Sequence, residues 1–101
     1  MAIEDKHERR IVRRIMEHAE KQGWLVSVND GENYYIKRVP PSIKLIKDMN
    51  ITGQDVLLFR NYDHGYKIGS VWLVYGNGED LIVDNTDNDL MAGLCDYATK
   101  G

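Results

Sequence analysis

The chain has 101 residues, of which 43% are hydrophobic and 29% are charged, and its formal net charge is −3. This length and apolar content exclude an intrinsically disordered chain and indicate a single domain, residues 1–101, with a core of its own. The one cysteine, Cys95, cannot form an internal disulfide, and no run approaches the roughly 18 apolar residues of a membrane span. No signal-peptide core opens the sequence, so we expect a cytoplasmic protein without a membrane partner.

The first predicted element is an amphipathic helix over residues 6–22. Its apolar stripe comprises Ile11, Val12, Ile15, Met16 and Ala19. Charged residues cover the opposite side, and Gly23 suits the left-handed position that follows the last turn of a helix. Five basic residues and one acidic residue between Lys6 and Arg14 make this helix locally basic.

Residues 24–28 and 32–38 predict a β-hairpin. A three-residue loop that ends at Gly31 would pair Val28 with Glu32 and Val26 with Tyr34. In this register one face of the hairpin holds Trp24, Val26, Tyr34 and Ile36. The alternative, a two-residue turn, would mix polar and apolar positions, so we favour the first register.

Two prolines end the hairpin because neither can donate a ladder hydrogen bond, and Ser42 is a natural N-cap for a short helix over residues 43–49. The apolar side of this helix is predicted to hold Ile43, Ile46 and Met49. Three strands follow, over residues 55–60, 67–75 and 80–85. The second is apolar on both faces, which predicts a central strand, and acidic residues flank the third, as expected near an edge.

The last predicted element is a helix that runs through Leu90, Met91, Leu94, Tyr97 and Ala98. Thr86 and Asp89 are spaced like a capping box and are expected to open it. The assembled order is α-β-β-α-β-β-β-α. This order predicts an α+β fold in which helices cover an antiparallel sheet of about five strands.

Residues able to carry catalysis or hold a metal form no recognisable pattern. His7 and His18 share one side of the first helix but lie about 16 Å apart at ~1.5 Å per residue, too far for one metal ion. Cys95 falls inside the last helix and is interpreted as a structural thiol. A calcium loop that starts at Asn85 fails because Leu90 occupies its glycine position. We therefore expect no enzyme activity, no cofactor and no metal.

Two surfaces are candidates for binding. One would contact a protein through the acidic carboxy-terminal end and through tyrosines at solvent-side or loop positions, namely Asp84, Asp87, Asp89, Tyr35, Tyr62 and Tyr66. The other would bind nucleic acid through the basic face of the first helix, with Arg9, Arg10, Arg13 and Arg14. Lys37 and Arg38 would extend this basic face if the sheet edge lies near it. The acidic balance of the chain disfavours the second surface, and an edge strand leaves a homodimer open.

A resemblance covers roughly residues 11–90 and is carried by turn and strand patterns in residues 23–28, 30–32, 34–38, 68–78 and 84–88. The fourth of these segments contains the Gly76-Asn77-Gly78 turn. In these segments and in element order the chain resembles a group of short uncharacterised proteins encoded by tailed phages and prophages of enteric bacteria. The resemblance implies a phage origin and the host cytoplasm. Because that group carries no assigned catalytic residues, no site is transferred.

The residues and the resemblance lead to one hypothesis and one alternative. The hypothesis is an accessory protein of a phage or prophage that acts by non-catalytic binding to a host or phage protein. The alternative is a nucleic-acid-binding module that uses the basic face of helix 1.

Overall fold

The computed structural model describes residues 3–100, and its elements follow the predicted order. The helices of this part of the chain are α1 (Lys6–Gln22) and α2 (Asp89–Thr99), with short 3₁₀ helices at Ile43–Asp48 and Gly78–Asp80. Its strands are β1 (Trp24–Asn29), β2 (Tyr34–Val39), β3 (Gln54–Asn61), β4 (Lys67–Val74) and β5 (Ile82–Asn85). The strands form one antiparallel sheet in the order β2-β1-β3-β4-β5, so the predicted α+β class is confirmed.

Helix α1 begins and ends where its sequence predicts. The Asp5 carboxylate caps the amino terminus by accepting hydrogen bonds from the N–H groups of His7 and Glu8. Gly23 ends the helix with φ 75°, and its N–H donates to the carbonyl oxygen of Glu20. All five residues of the predicted apolar stripe are buried. The helix therefore lies with its apolar face against the sheet.

The hydrophobic core lies between the two helices and one face of the sheet. The strand residues in it are Trp24, Val26 and Val28 of β1, Leu57 and Phe59 of β3, and Val71 and Leu73 of β4. They alternate along each strand, as expected when one face of an antiparallel sheet is buried. The strand that begins at Lys67 is β4, which lies between β3 and β5, so the prediction that it is not an edge strand is confirmed.

The register of the β1–β2 hairpin differs from the predicted one. Tyr34 pairs with Asn29, Ile36 with Val28, and Val39 with Val26, so β2 carries two more residues than β1 over the same length. Tyr34 consequently lies on the face opposite to Val26. The reason is a longer loop, in which the Asp30 carboxylate accepts hydrogen bonds from the N–H groups of residues 32 and 33.

Two further expectations need correction. The segment after Ser42 is a 3₁₀ helix that exposes Ile43, whereas Met49 just beyond it is buried. Helix α2 is capped by Asn88, whose side chain accepts a hydrogen bond from the N–H of Met91, and not by Thr86. The Thr86 hydroxyl is needed elsewhere, because it accepts a hydrogen bond from the N–H of Ser70 on β4.

Replacing Gly69 with alanine is expected to lower the free energy of unfolding by roughly 1–3 kcal/mol. A Cβ atom at this position would clash with Met91 Cγ and lie 2.9 Å from Met91 Sδ and 3.3 Å from Thr86 Cβ, so the buried Met91 side chain would have to repack. The measurement is the urea midpoint of unfolding. The control is Gly93→Ala in α2, where nothing lies within 4 Å and the helix gains about 0.5–1 kcal/mol. Equal midpoints for both variants would contradict the close approach.

Candidate binding face of the sheet

The face of the sheet opposite the core is not covered by either helix. We call it the open face, and its residues are Leu25, Ser27 and Asn29 of β1, Tyr34, Lys37 and Arg38 of β2, Gln54, Val56, Leu58 and Arg60 of β3, Ser70 and Trp72 of β4, and Asp84 of β5. They are the strand positions that alternate with the core residues. Large apolar, aromatic and basic side chains share this surface, and the acidic Asp84 lies at its β5 edge. It is therefore a candidate for binding.

Strand β2 turns two neighbouring basic residues to the open face. Between the pairs Ile36–Val28 and Val39–Val26, Lys37 and Arg38 together oppose the single residue Ser27. Such a bulge re-aims side chains that a regular strand would send to opposite faces. Arg38 has φ 47°, a strained value for this residue type, and its N–H donates to Ser27 Oγ at 2.9 Å. The local backbone is thus held in an unfavourable conformation that exposes both cations.

These two side chains border a cleft of ≈ 390 Å³ on the open face. Its lining residues are Ser27, Tyr34, Lys37, Arg38, Leu58 and Arg60. We call Lys37, Arg38 and Arg60 the cation cluster, and no acidic residue of the described chain lines this cleft. Arg60 Nη1 donates to the carbonyl oxygen of Gly65 at 2.9 Å, which holds one side of its guanidinium in place. The cleft is therefore positively charged although the whole chain is acidic.

Two exposed aromatic residues lie in one row across the open face. Trp72 on β4 pairs with Val56, Val56 pairs with Asn29, and Asn29 pairs with Tyr34 on β2. Trp72 is 43% exposed and Tyr34 is 44% exposed. Trp72 Nε1 donates to Gln54 Oε1 at 3.0 Å, so the polar edge of the indole is already bonded within the sheet. The exposed surface of the Trp72 ring is therefore available for contact with a binding partner.

The residues predicted to contact a protein lie in three parts of the fold. Asp84, Asp87 and Asp89 are exposed at the β5–α2 junction, and Tyr62 and Tyr66 are exposed in the β3–β4 turn. Tyr35 is not at a solvent-side position: it packs against the core, and its hydroxyl donates to Asp55. The physical reason is a second irregularity in β2, which turns Tyr35 and Ile36 together towards the core. The protein-contact role of the other five stays a prediction.

The basic face of α1 uses two of its four arginines within the molecule. Arg9 Nη1 donates to the carbonyl oxygens of Ile3 and Glu4, at 2.9 and 2.8 Å, and Arg14 Nη1 donates to the carbonyl oxygen of Lys100. These bonds tie the two ends of the described chain to the helix. Arg10 and Arg13 remain exposed.

Glu8 is a carboxylate that the fold uses internally. It is 3% exposed, and its Oε2 accepts hydrogen bonds from the N–H groups of Gly76, Asn77 and Gly78 at 2.8, 2.9 and 3.0 Å. The turn after β4 is thereby fastened to the first turn of α1. Three successive amides pointing at one oxygen form an anion-binding concavity, which this side chain fills.

Asp55 is a second buried carboxylate with internal partners. It accepts hydrogen bonds from the Tyr35 hydroxyl at 2.5 Å, from the Tyr75 hydroxyl at 2.6 Å and from the N–H of Asn50 at 2.9 Å. Burial raises the pKa of Asp55, and the hydrogen bonds from the two tyrosines oppose that rise. Burial and the neighbouring carboxylate also raise the pKa of Tyr35 and of Tyr75. The cluster is fully engaged in joining β2, β3 and β4.

The remaining candidates for chemistry are isolated. Burial raises the pKa of the Cys95 thiol, as does nearby Asp96, which disfavours the nucleophilic thiolate. Burial lowers the pKa of His18, whose ring lies 5.9 Å from Trp24 and 5.6 Å from Tyr97. Among residues 3–100, no three His, Cys, Asp or Glu side chains are placed to hold a metal ion. In the same residues no helix has the length and apolar character to cross a bilayer.

Sequence reasoning noted Lys37 and Arg38 only as an extension of the helix surface, and it did not identify Arg60 or Trp72 as binding residues. A signal for the first two was present. Along β2 the first residue is exposed, the next two point inward, the next two are exposed and the last points inward. The side chains therefore change face in pairs, whereas those of a regular strand change face at every residue. Two adjacent basic residues after two adjacent large apolar ones indicate such a bulged strand.

Protein-family models, curated protein sequences and solved structures all give no match to the chain. The functional conclusion therefore depends on the geometry of the open face.

Proposed function

We propose that this protein acts by non-catalytic binding and that its open face takes a negatively charged macromolecule. The observation that carries this proposal is the cation cluster: a strained bulge in β2 turns Lys37 and Arg38 to the same cleft as Arg60. Strain of this kind costs about 1–3 kcal/mol and persists where the surrounding structure enforces it, often at functional sites. An anionic partner would neutralise the cluster.

Binding is favoured over catalysis because the buried carboxylates have structural partners. Glu8 accepts three backbone hydrogen bonds, and Asp55 accepts three more hydrogen bonds from two hydroxyls and one N–H group. A general base must be within reach of a substrate proton, and both of these carboxylates face inward.

The open face is favoured over the basic face of α1 for two reasons. The first is the strained bulge that turns Lys37 and Arg38 to one cleft, since charge alone does not separate the surfaces: Arg60 donates to a backbone carbonyl group as Arg9 and Arg14 do. The open face adds exposed aromatic area to its cations, and Trp, Tyr and Arg are the residue types enriched at energetically important contacts. With the phage origin that the resemblance implies, the partner is a host or phage macromolecule.

The test is retention on immobilised heparin, a generic polyanion, during a salt gradient. The double variant Lys37→Gln/Arg38→Gln is expected to elute at a clearly lower salt concentration than the original protein, because the attraction is electrostatic and screened. The matched control is Arg10→Gln/Arg13→Gln, which removes the same charge from α1 and is expected to elute close to the original protein. Earlier elution of the helix variant alone, or no retention of the original protein, would overturn the proposal.

A further inference from the structure

We propose that the macromolecule taken by the open face is single-stranded nucleic acid, whose bases stack on Trp72 and Tyr34 while its phosphates contact the cation cluster. This inference rests on the proposed function, because it names the chemical class of the partner for that same face. It uses the sheet, and not helix α1, as the nucleic-acid surface.

The aromatic residues supply stacking platforms. Nearly half of each side chain is exposed, and the Trp72 indole is oriented by its hydrogen bond to Gln54. A second hollow of ≈ 200 Å³ lies beside Trp72, and its other lining residues are Val56, Ser70, Asp84, Asn85 and Thr86. Stacking of a base on an aromatic side chain is tolerant of sequence, since every base has a π face. The hollow gives such a base room beside the ring.

The spacing of the two rings suits separate bases. Trp72 and Tyr34 belong to strands that are three positions apart in the sheet. At ~4.8 Å between neighbouring strands, their backbones lie about 14 Å apart. Val56 and Asn29 lie between them on the open face, so the floor is apolar beside Trp72 and polar beside Tyr34. A single strand laid across the sheet strands would meet one ring, then the floor, then the other ring.

The charges define where the sugar–phosphate backbone would run. The cation cluster shares its cleft with Tyr34, and Lys67 pairs with Arg60 at the end of β3. On the other side, Asp84 of β5 pairs with Trp72 and would repel phosphates. The backbone is therefore expected to contact the cation cluster where the single strand passes Tyr34, and its phosphates are expected to point away from Asp84 where a base stacks on Trp72.

A single strand fits these features better than a duplex or an acidic peptide. In a duplex the bases are stacked on one another, so exposed aromatic rings on a sheet gain no partner. An acidic peptide would use the cations but would leave the rings without a specific role. A single strand offers bases to the two aromatic residues and phosphates to the cation cluster, so it uses both features of the open face.

The test is fluorescence anisotropy with a labelled oligothymidine of about 12 nucleotides at several salt concentrations. The expected result is salt-dependent binding that Trp72→Leu weakens about tenfold, with a similar loss for Tyr34→Leu. Lys37→Gln/Arg38→Gln is expected to reduce the slope of log K against log salt by about 1.4, or ~0.7 for each phosphate that is no longer neutralised. Circular dichroism on each variant establishes that the fold is retained.

Two matched controls isolate the surface. Tyr97→Leu removes an exposed tyrosine from α2, and Arg10→Gln/Arg13→Gln removes two charges from α1; both are expected to bind the oligothymidine like the original protein. Duplex DNA of the same length and labelled polyglutamate are the competing probes, and both are expected to bind more weakly.

The outcomes separate this inference from the proposed function. Equal or tighter binding of duplex or polyglutamate, with no effect of Trp72→Leu and Tyr34→Leu, would overturn the single-strand inference while heparin retention through Lys37 and Arg38 still supported the proposed function. Loss of oligothymidine binding in the α1 variant alone would also overturn it. Failure of heparin retention together with failure of oligothymidine binding would overturn both.

Discussion

Replacing Glu8 with alanine is expected to lower the free energy of unfolding by about 2–4 kcal/mol. The substitution removes the acceptor of three backbone N–H groups, at Gly76, Asn77 and Gly78. A buried donor left without a partner costs about 1–3 kcal/mol. Water reaches part of this turn, since Gly76 and Asn77 are exposed, so the sum is smaller than three full penalties. Urea unfolding followed by circular dichroism measures the loss.

Two controls accompany the Glu8 substitution. Glu8→Gln keeps a carbonyl oxygen of the same reach and is expected to lose about half as much, because only the charge of the acceptor is gone. Glu4→Ala removes an exposed acid nearby and is expected to change the free energy of unfolding by less than about 0.5 kcal/mol. A urea midpoint for Glu8→Ala that matches the one for Glu4→Ala would contradict the structural role of the carboxylate.

Replacing Asp55 with alanine is expected to cost a similar amount, about 2–4 kcal/mol. The side chain is fully buried, and its loss leaves two tyrosine hydroxyls and the N–H of Asn50 without their acceptor. The variants Tyr35→Phe and Tyr75→Phe each remove one donor and leave the carboxylate bonded, so each is expected to cost about 1 kcal/mol. If either phenylalanine variant proved as unstable as Asp55→Ala, the carboxylate would not be the hub of this cluster.

The same carboxylate gives stability a distinctive pH dependence. Burial raises the pKa of Asp55 in the folded chain above its ordinary value of 3.8, so the folded state binds more protons than the unfolded state between those two pKa values. The contribution of this group is therefore fully present below pH 3.8 and is lost as the pH rises through the folded pKa. We expect the stability difference between the original protein and Asp55→Asn to shrink as the pH rises through that window. Urea titrations at a series of pH values measure it, and a difference that grew with pH would contradict the sign.

The sequence predicts much of the fold because its strongest signals are local. The apolar stripe of α1 repeats with the period of a helix, and both Gly23 and Ser42 act as the predicted caps. The edge position of β5 also follows from the acidic residues that flank it. These features depend on neighbours a few residues away, which a single sequence displays directly.

The register of β2 was not predictable in the same way, because distant residues set it. Tyr35 turns inward to reach Asp55, which lies 20 residues further along the chain, and Arg38 is held by the Ser27 hydroxyl on the neighbouring strand. The alternation of apolar and polar residues along a strand gives no information about contacts with distant residues. The candidate site could not be predicted for the same reason, because Lys37 and Arg38 point to the same face only where β2 forms its bulge.

The bond between Glu8 and the turn after β4 has a consequence for hydrogen–deuterium exchange. Amides in a short surface turn ordinarily exchange early, because local fraying exposes them without any larger opening. Those of Gly76, Asn77 and Gly78 are expected to exchange late, because each donates to Glu8 Oε2 on α1, 68 to 70 positions away in the chain. The protection factors of these three consecutive amides therefore measure how often the turn separates from the amino-terminal helix.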